Sequence, residues 1–300
     1  MNTKAILSAI AVAILLLACS SEADSPQPAA PADRQPILFA AAPALSTRAG
    51  QDLQNTQFLR RQDIDVQITA QDGLTVYDML TYYTANTTGA MVPKLGVYPY
   101  YPTNKSKIDI RAFYPTGYLS KAEPTFSVRN PQINDDDYMA SDLMFASLTD
   151  VETPTTSVTN VLNFHHLLTK IQVNLTGEAG VDLNNSVVTL LGIKTSTTYN
   201  TLTGAVSASA TGSPTNMVIA NDGSVPSAAI IPPQQLSSGY FIEVALANNV
   251  VLYYSTAQTL TFESGKVYTF NIHVVESSIT VGTTVEPWAS STYIESRLKL

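Results

Sequence analysis

Alternation of apolar and polar residues with a period of two dominates the chain beyond its first few dozen positions. In "IDVQITA", Ile64, Val66, Ile68 and Ala70 fall on one face and Asp65, Gln67 and Thr69 on the other, as a strand buried on one side requires. The Asp72-Gly73 pair that follows predicts a turn. "KIDIRAFYPTG" repeats the pattern with Ile108, Ile110, Ala112 and Tyr114 before Pro115, "KIQVNLTG" with Ile171, Val173 and Leu175, and "KVYTFNIHVVE" with Tyr268, Phe270, Ile272 and Val274. "GYFIEVALANNVVLYY" reads as a hairpin that turns at Asn248-Asn249, residues that tolerate positive φ. Helical periodicity is scarce. Short strands separated by Gly, Pro, Asn and Asp clusters predict an all-β chain built from β-sandwich domains.

The two ends depart from this pattern. The start, "MNTKAILSAIAVAILLLACSSEAD", has Lys4 ahead of an apolar run from Ala5 to Ala18, too short for a permanent membrane span and suited to export. Leu16, Leu17, Ala18 and Cys19 resemble a bacterial lipobox, which makes Cys19 the expected lipidation site. Cys19 is the single cysteine of the chain, so disulfides, thiolate metal sites and cysteine nucleophiles are excluded together. Residues 1–18 are thus read as a lipoprotein signal peptide and 19–36, rich in Pro and Ala, as a disordered tether. "VETPTTSVTN", Val151 to Asn160, breaks the alternation and divides the remainder into domains at 37–155 and 156–300. At the far end, "STYIESRLKL" places Ile294, Ser296, Leu298 and Leu300 on one side and Tyr293, Glu295, Arg297 and Lys299 on the other. That half-apolar strand needs a groove, in its own domain or in another molecule.

A net charge of −8 argues against nucleic acid as a partner. His165 and His166 are adjacent, so on a strand they point to opposite faces and do not share an ion. His273 lies on the polar side of its strand, and all three histidines are read as structural. "NDDDY", Asn134 to Tyr138, lacks the alternating ligands of a calcium loop and reads as a solvated acidic turn. No nucleophile elbow, phosphate loop or metalloprotease motif occurs. The chain is expected to be no enzyme and to carry no cofactor. Tyr98, Tyr100 and Tyr101 in "GVYPYYPTNKSK" are candidate ligand contacts, through aromatic faces able to stack on sugars.

"LMFAS" (143–147), "LNFHHLLTKIQVNL" (162–175), "IIPPQQL" (230–236), "LTFESGKVYTFNIHV" (260–274) and "VEPW" (285–288) together resemble the fimbrillin-like proteins of Bacteroidetes, the type V pilins. The resemblance implies two tandem transthyretin-like β-sandwich domains, export as an outer-membrane lipoprotein, and assembly with other pilin subunits into adhesive surface fimbriae. It further implies that a protease cuts a loop after the first strand, which leaves and opens a groove for a strand from a neighbour's C-terminal region. The matching first strand is "QPILFAAA", with Ile37, Leu38 and Phe39 displaced. The cut is placed between Arg48 and Ala49, because cleavage after Arg34 would leave the strand attached. Arg60 and Arg61 lie almost on the strand that starts at Ile64. Cleavage after Arg48 would also discard Cys19 and its lipid. Ile294, Ser296, Leu298 and Leu300 become the donor-strand face. The competing reading is a surface lipoprotein, or a fimbrial tip or anchor component, that binds glycan or a host ligand and never polymerises.

Overall fold

The computed structural model describes residues 34–43, 61–85, 89–119, 124–219, 227–275, 278–288 and 296–297. Cys19, Arg48, Ala49, Ile294, Leu298 and Leu300 lie outside them. In the first part of the chain the strands are β1 (Leu38–Pro43), β2 (Asp63–Ala70), β3 (Val76–Thr84), β4 (Met91–Pro93), β5 (Ile108–Tyr114), β6 (Thr125–Ser127), β7 (Met144–Val151) and β8 (Thr159–His166). They continue as β9 (Thr169–Gly177), β10 (Val187–Ile193), β11 (Ser196–Thr198), β12 (Thr215–Ile219), β13 (Ser227–Ile231), β14 (Gln234–Leu236), β15 (Gly239–Ala245) and β16 (Val251–Thr256). The last are β17 (Leu260–Phe262), β18 (Lys266–Val275), β19 (Ser278–Pro287) and β20 (Ser296–Arg297).

The expected alternation is realised strand by strand. Ile64, Val66 and Ile68 of β2 are buried, and so are Phe270, Ile272 and Val274 of β18. The turn after β2 forms where Gly73 takes a φ of +66°, a conformation open to glycine without a Cβ clash. The Asp72 carboxylate accepts from the Thr75 hydroxyl and from the amides of Thr75 and Leu74, and these bonds hold its pKa below the ordinary carboxylate value. Asn249 likewise turns the β15–β16 hairpin with a φ of +65°.

One element departs from expectation. "NDDDY" is not an acidic turn: Asp135–Ala140 form helix α1, and the Asn134 side chain caps it by accepting from the Asp137 amide at 2.8 Å. Three aspartates in its first turn suit the partial positive charge of a helix start.

The strands build two cores. A seven-stranded sheet runs β1-β8-β7-β5-β2-β3-β4 and curls so that its edges meet, since Pro36 and Ala40 also bridge to Tyr100 and Ala90. Its interior holds Phe39, Val66, Tyr82, Ile110 and Phe164. The second core lies between the sheets β12-β10-β15-β16 and β13-β9-β18-β19-β20. Phe241 and Tyr254 of the first of these meet Phe270 of the second at 5.2 and 6.0 Å, the close apolar contact of a sandwich. The strand that follows the polar break at 151–160, β8, belongs to the sheet of the first half.

The halves interlock. Phe113 and Phe145 on the outer face of the first sheet pack against Tyr199 and Gly204, and β6 pairs with β11. A Cβ on Gly204 would lie 2.3 Å from the Phe145 ring, so only glycine permits this approach. Gln132 is 2% exposed and clips the second half by bonding both the amide and the carbonyl of Ile230.

Candidate functional site: the groove of the first strand

β1 occupies a slot between two parts of the chain that are distant in sequence. On one side it pairs in parallel with β8, from Leu38 opposite Thr159 to Pro43 opposite Phe164. On the other, the amides of Ile37 and Ala41 donate to the carbonyls of Pro99 and Gly89, each at 2.8 Å, and the Tyr101 amide donates to Gln35. Ile37, Phe39 and Ala41 point into the first core and are at most 3% exposed, while Leu38, Ala40 and Ala42 are half-buried. Phe39 meets the Tyr82 ring edge-on at 5.4 Å. Burying Ile37 and Phe39 contributes about 1.5–3 kcal/mol each.

Two devices fix the strand in place. Gly89 comes so close that a Cβ on it would stand 1.9 Å from the Ala41 carbonyl oxygen. Its φ of +83° also disfavours other residues. Asn160 of β8 reaches across to donate to the Leu38 carbonyl at 3.1 Å and to the Tyr101 hydroxyl at 3.0 Å. Neither residue stands out in the sequence by periodicity.

Of the three tyrosines considered as ligand contacts, Tyr100 and Tyr101 belong to this slot. Tyr101 is 2% exposed and carries the bond to Asn160, so it offers no open ring face. Burial raises its hydroxyl pKa above the ordinary tyrosine value. Tyr100 bridges to Pro36 and lies under the Arg34 guanidinium, 5.4 Å from ring centre to cation. Tyr98 is half-buried. Exposed tyrosines among the described residues include Tyr77 on β3 and the pair Tyr240 and Tyr253 on the β15–β16 hairpin, with rings 5.1 Å apart.

The histidines separate as adjacent strand residues do. His165 is exposed, edge-on to Phe145. His166 is buried, shares a 2.8 Å hydrogen bond with Asp142, and stacks flat on Trp288 at 3.9 Å. His273 is exposed on β18 and meets the Thr176 hydroxyl. Among the described residues no group of three or more His, Cys, Asp or Glu side chains could hold a metal. Of the C-terminal tail, Ser296 and Arg297 pair with Thr283 and Gly282 of β19, at the edge of the five-stranded sheet.

A profile of the fimbrillin-like family matches residues 47–288. The chain belongs to the fimbrillin-like family. The match begins beyond β1, so the fimbrillin-like region is the part that forms the slot, the second core and the rest of the first core. Related folds occur in crystal structures of candidate cell adhesion proteins. That of Bacteroides uniformis has a TM-score of 0.69 and 21% identity over 86% of this chain and 100% of its own. That of Bacteroides ovatus gives 0.66 and 20% over 85% and 98%. The tip fimbrial protein Mfa3 of Porphyromonas gingivalis, truncated at its C terminus, gives 0.55 and 8% over 85% and 100%. No curated protein matches the sequence. Among the described residues no helix is long and apolar enough to cross a membrane.

Proposed function

We propose that this fimbrillin-like protein is a structural subunit of an adhesive surface fimbria, non-enzymatic and assembled by strand exchange. In this reading it is exported as an outer-membrane lipoprotein through Cys19. A protease then cuts between Arg48 and Ala49, β1 departs with the lipid, and the C-terminal tail of a neighbouring subunit enters the vacated slot. The observation that carries the reading is the position of β1. It is the first described strand, it supplies Phe39 and Ala41 to the first core with Ile37 just ahead of it, and Arg48 lies in the stretch between it and β2. One hydrolysis there separates a core strand from the body it completes. The naming of the structural relatives for cell adhesion and fimbriae supports the same assignment.

Limited digestion with an arginine-specific protease, followed by intact mass and electrophoresis without boiling, tests this. The expected result is a cut after Arg48 and a ladder of dissociation-resistant multimers, absent from a variant ending at Trp288. A chain that is cut there and stays monomeric would remove the polymerising role and leave a surface lipoprotein.

A further inference from the structure

Away from the slot, the sheet β12-β10-β15-β16 turns one face to the second core and the other outward. Val218, Thr189, Glu243 and Tyr253 stand opposite one another on the outward face, across all four strands, and Val187, Ala245 and Val251 form the next row. Val187 and Val251 are each 43% exposed and Val218 37%, so the face is an apolar field open to water. Of all the residues in these four strands, Glu243 alone is charged.

A break in the alternation adds an aromatic pair to this face. Tyr240 lies opposite Ser255 and Ile242 opposite Tyr254, so β15 carries one extra residue, Phe241, at this point. Phe241 and Ile242 both turn into the core. Strict alternation continued back from Ile242 would bury Tyr240. The bulge sends it outward instead, 68% exposed, with its ring 5.1 Å from that of Tyr253 and tilted 48° to it. Bulges re-aim side chains in this way beside functional surfaces. At this spacing the two rings touch, so a ligand meets their outer surfaces and does not enter between them. The Tyr253 hydroxyl donates to the Glu243 carboxylate, which raises the tyrosine pKa above its ordinary value.

A partner must match three things at once: electron-rich ring faces, a carboxylate and an apolar surround. A guanidinium matches the first two, because it stacks flat on a tyrosine while its paired N–H groups meet a carboxylate. The valines decide between a protein and a sugar. Glycan hydroxyls laid across them would lose water without gaining partners, whereas apolar side chains gain by burial there. We infer that this outward face is a docking surface for a protein segment that presents an arginine flanked by apolar side chains, with the guanidinium on Tyr240 and Tyr253 and against Glu243. The net charge of −8 adds a long-range attraction for such a cationic segment. The inference goes beyond strand exchange and does not depend on it, since the slot belongs to the other core.

The test uses uncut, unlipidated protein (Cys19→Ser) and follows its backbone amides by nuclear magnetic resonance. Three probes are titrated: the blocked tripeptide acetyl-Leu-Arg-Val-amide, its citrulline counterpart, which keeps the shape and loses the charge, and methyl β-glucoside. The arginine peptide is expected to give saturable shifts at Tyr240, Glu243 and Tyr253. Binding should weaken about tenfold or more with the citrulline peptide and in Glu243→Gln, which removes the charged hydrogen bond. Tyr240→Ser should weaken it as well, through the lost stacking. Both substitutions lie outside the core, and an unchanged thermal midpoint checks that the variants fold. Equal binding of the arginine and citrulline peptides, or binding unchanged in Glu243→Gln, overturns the inference. Saturable shifts from the glucoside and not from the arginine peptide make the face a sugar site and overturn it too. So does the absence of saturable shifts at these amides with every probe. Because nothing is cut, all of these outcomes leave the polymerisation reading where it stands.

Discussion

The two cores differ in where their side chains come from. The first is filled by residues from Ile37 to Phe164, and one of its strands is the first described stretch of the chain. The second is filled from Phe113 to Trp288, all of it later in the sequence than β2. A cut in the sequence before β2 therefore subtracts from one core and leaves the other whole. Among the described residues, β1 is the strand through which β8 meets the far edge of its own sheet.

Phe39→Ala should break this comparison hardest, at a cost of about 3–5 kcal/mol. The loss should appear in hydrogen exchange of β2 and β5 amides, while the β15 and β16 amides of the second sandwich keep their own denaturation midpoint. Phe270→Ala should do the reverse at similar cost. A shift of both transitions by either variant would show that the interlock at Phe113, Phe145 and Tyr199 makes one cooperative unit. Gly89→Val should follow at about 3 kcal/mol, from overpacking and an unfavourable φ. It should block β1 and any replacement alike, so digestion would yield cut protein without multimers. Asn160→Ala should be mildest, about 1 kcal/mol. Its loss should speed release of β1 after cleavage, seen as faster multimer growth at unchanged cutting rate.

Much of the fold was legible because alternation is a local property. β2, β5, β9, β15 and β18 lie where the apolar positions indicated, within two residues at their ends. Pairing is not local. Nothing in "TNVLNFHH" announces that it runs parallel to residues more than a hundred positions earlier, and so the polar break at 151–160 looked like an end of the first sheet. The helix at Asp135–Ala140 escaped notice because three aspartates read as solvated polarity, although their place behind Asn134 is that of a capped first turn. At the slot, the apolar positions of β1 were visible through the family resemblance, with one refinement: Leu38 is half-buried, and Ala41 completes the inward face. Tyr101 could not be assigned from composition, since whether an aromatic ring faces water depends on which strand lies over it.

β8 cradles the slot, and only Leu167 and Leu168, both buried, separate it from β9 at the centre of the second sandwich. A pull on whatever strand occupies the slot, applied along its length, strains all six ladder positions at once in shear instead of unzipping them singly. The tension then passes along one continuous piece of backbone into the other core. The route from grip to body runs through two buried residues, Leu167 and Leu168, with little slack to stretch.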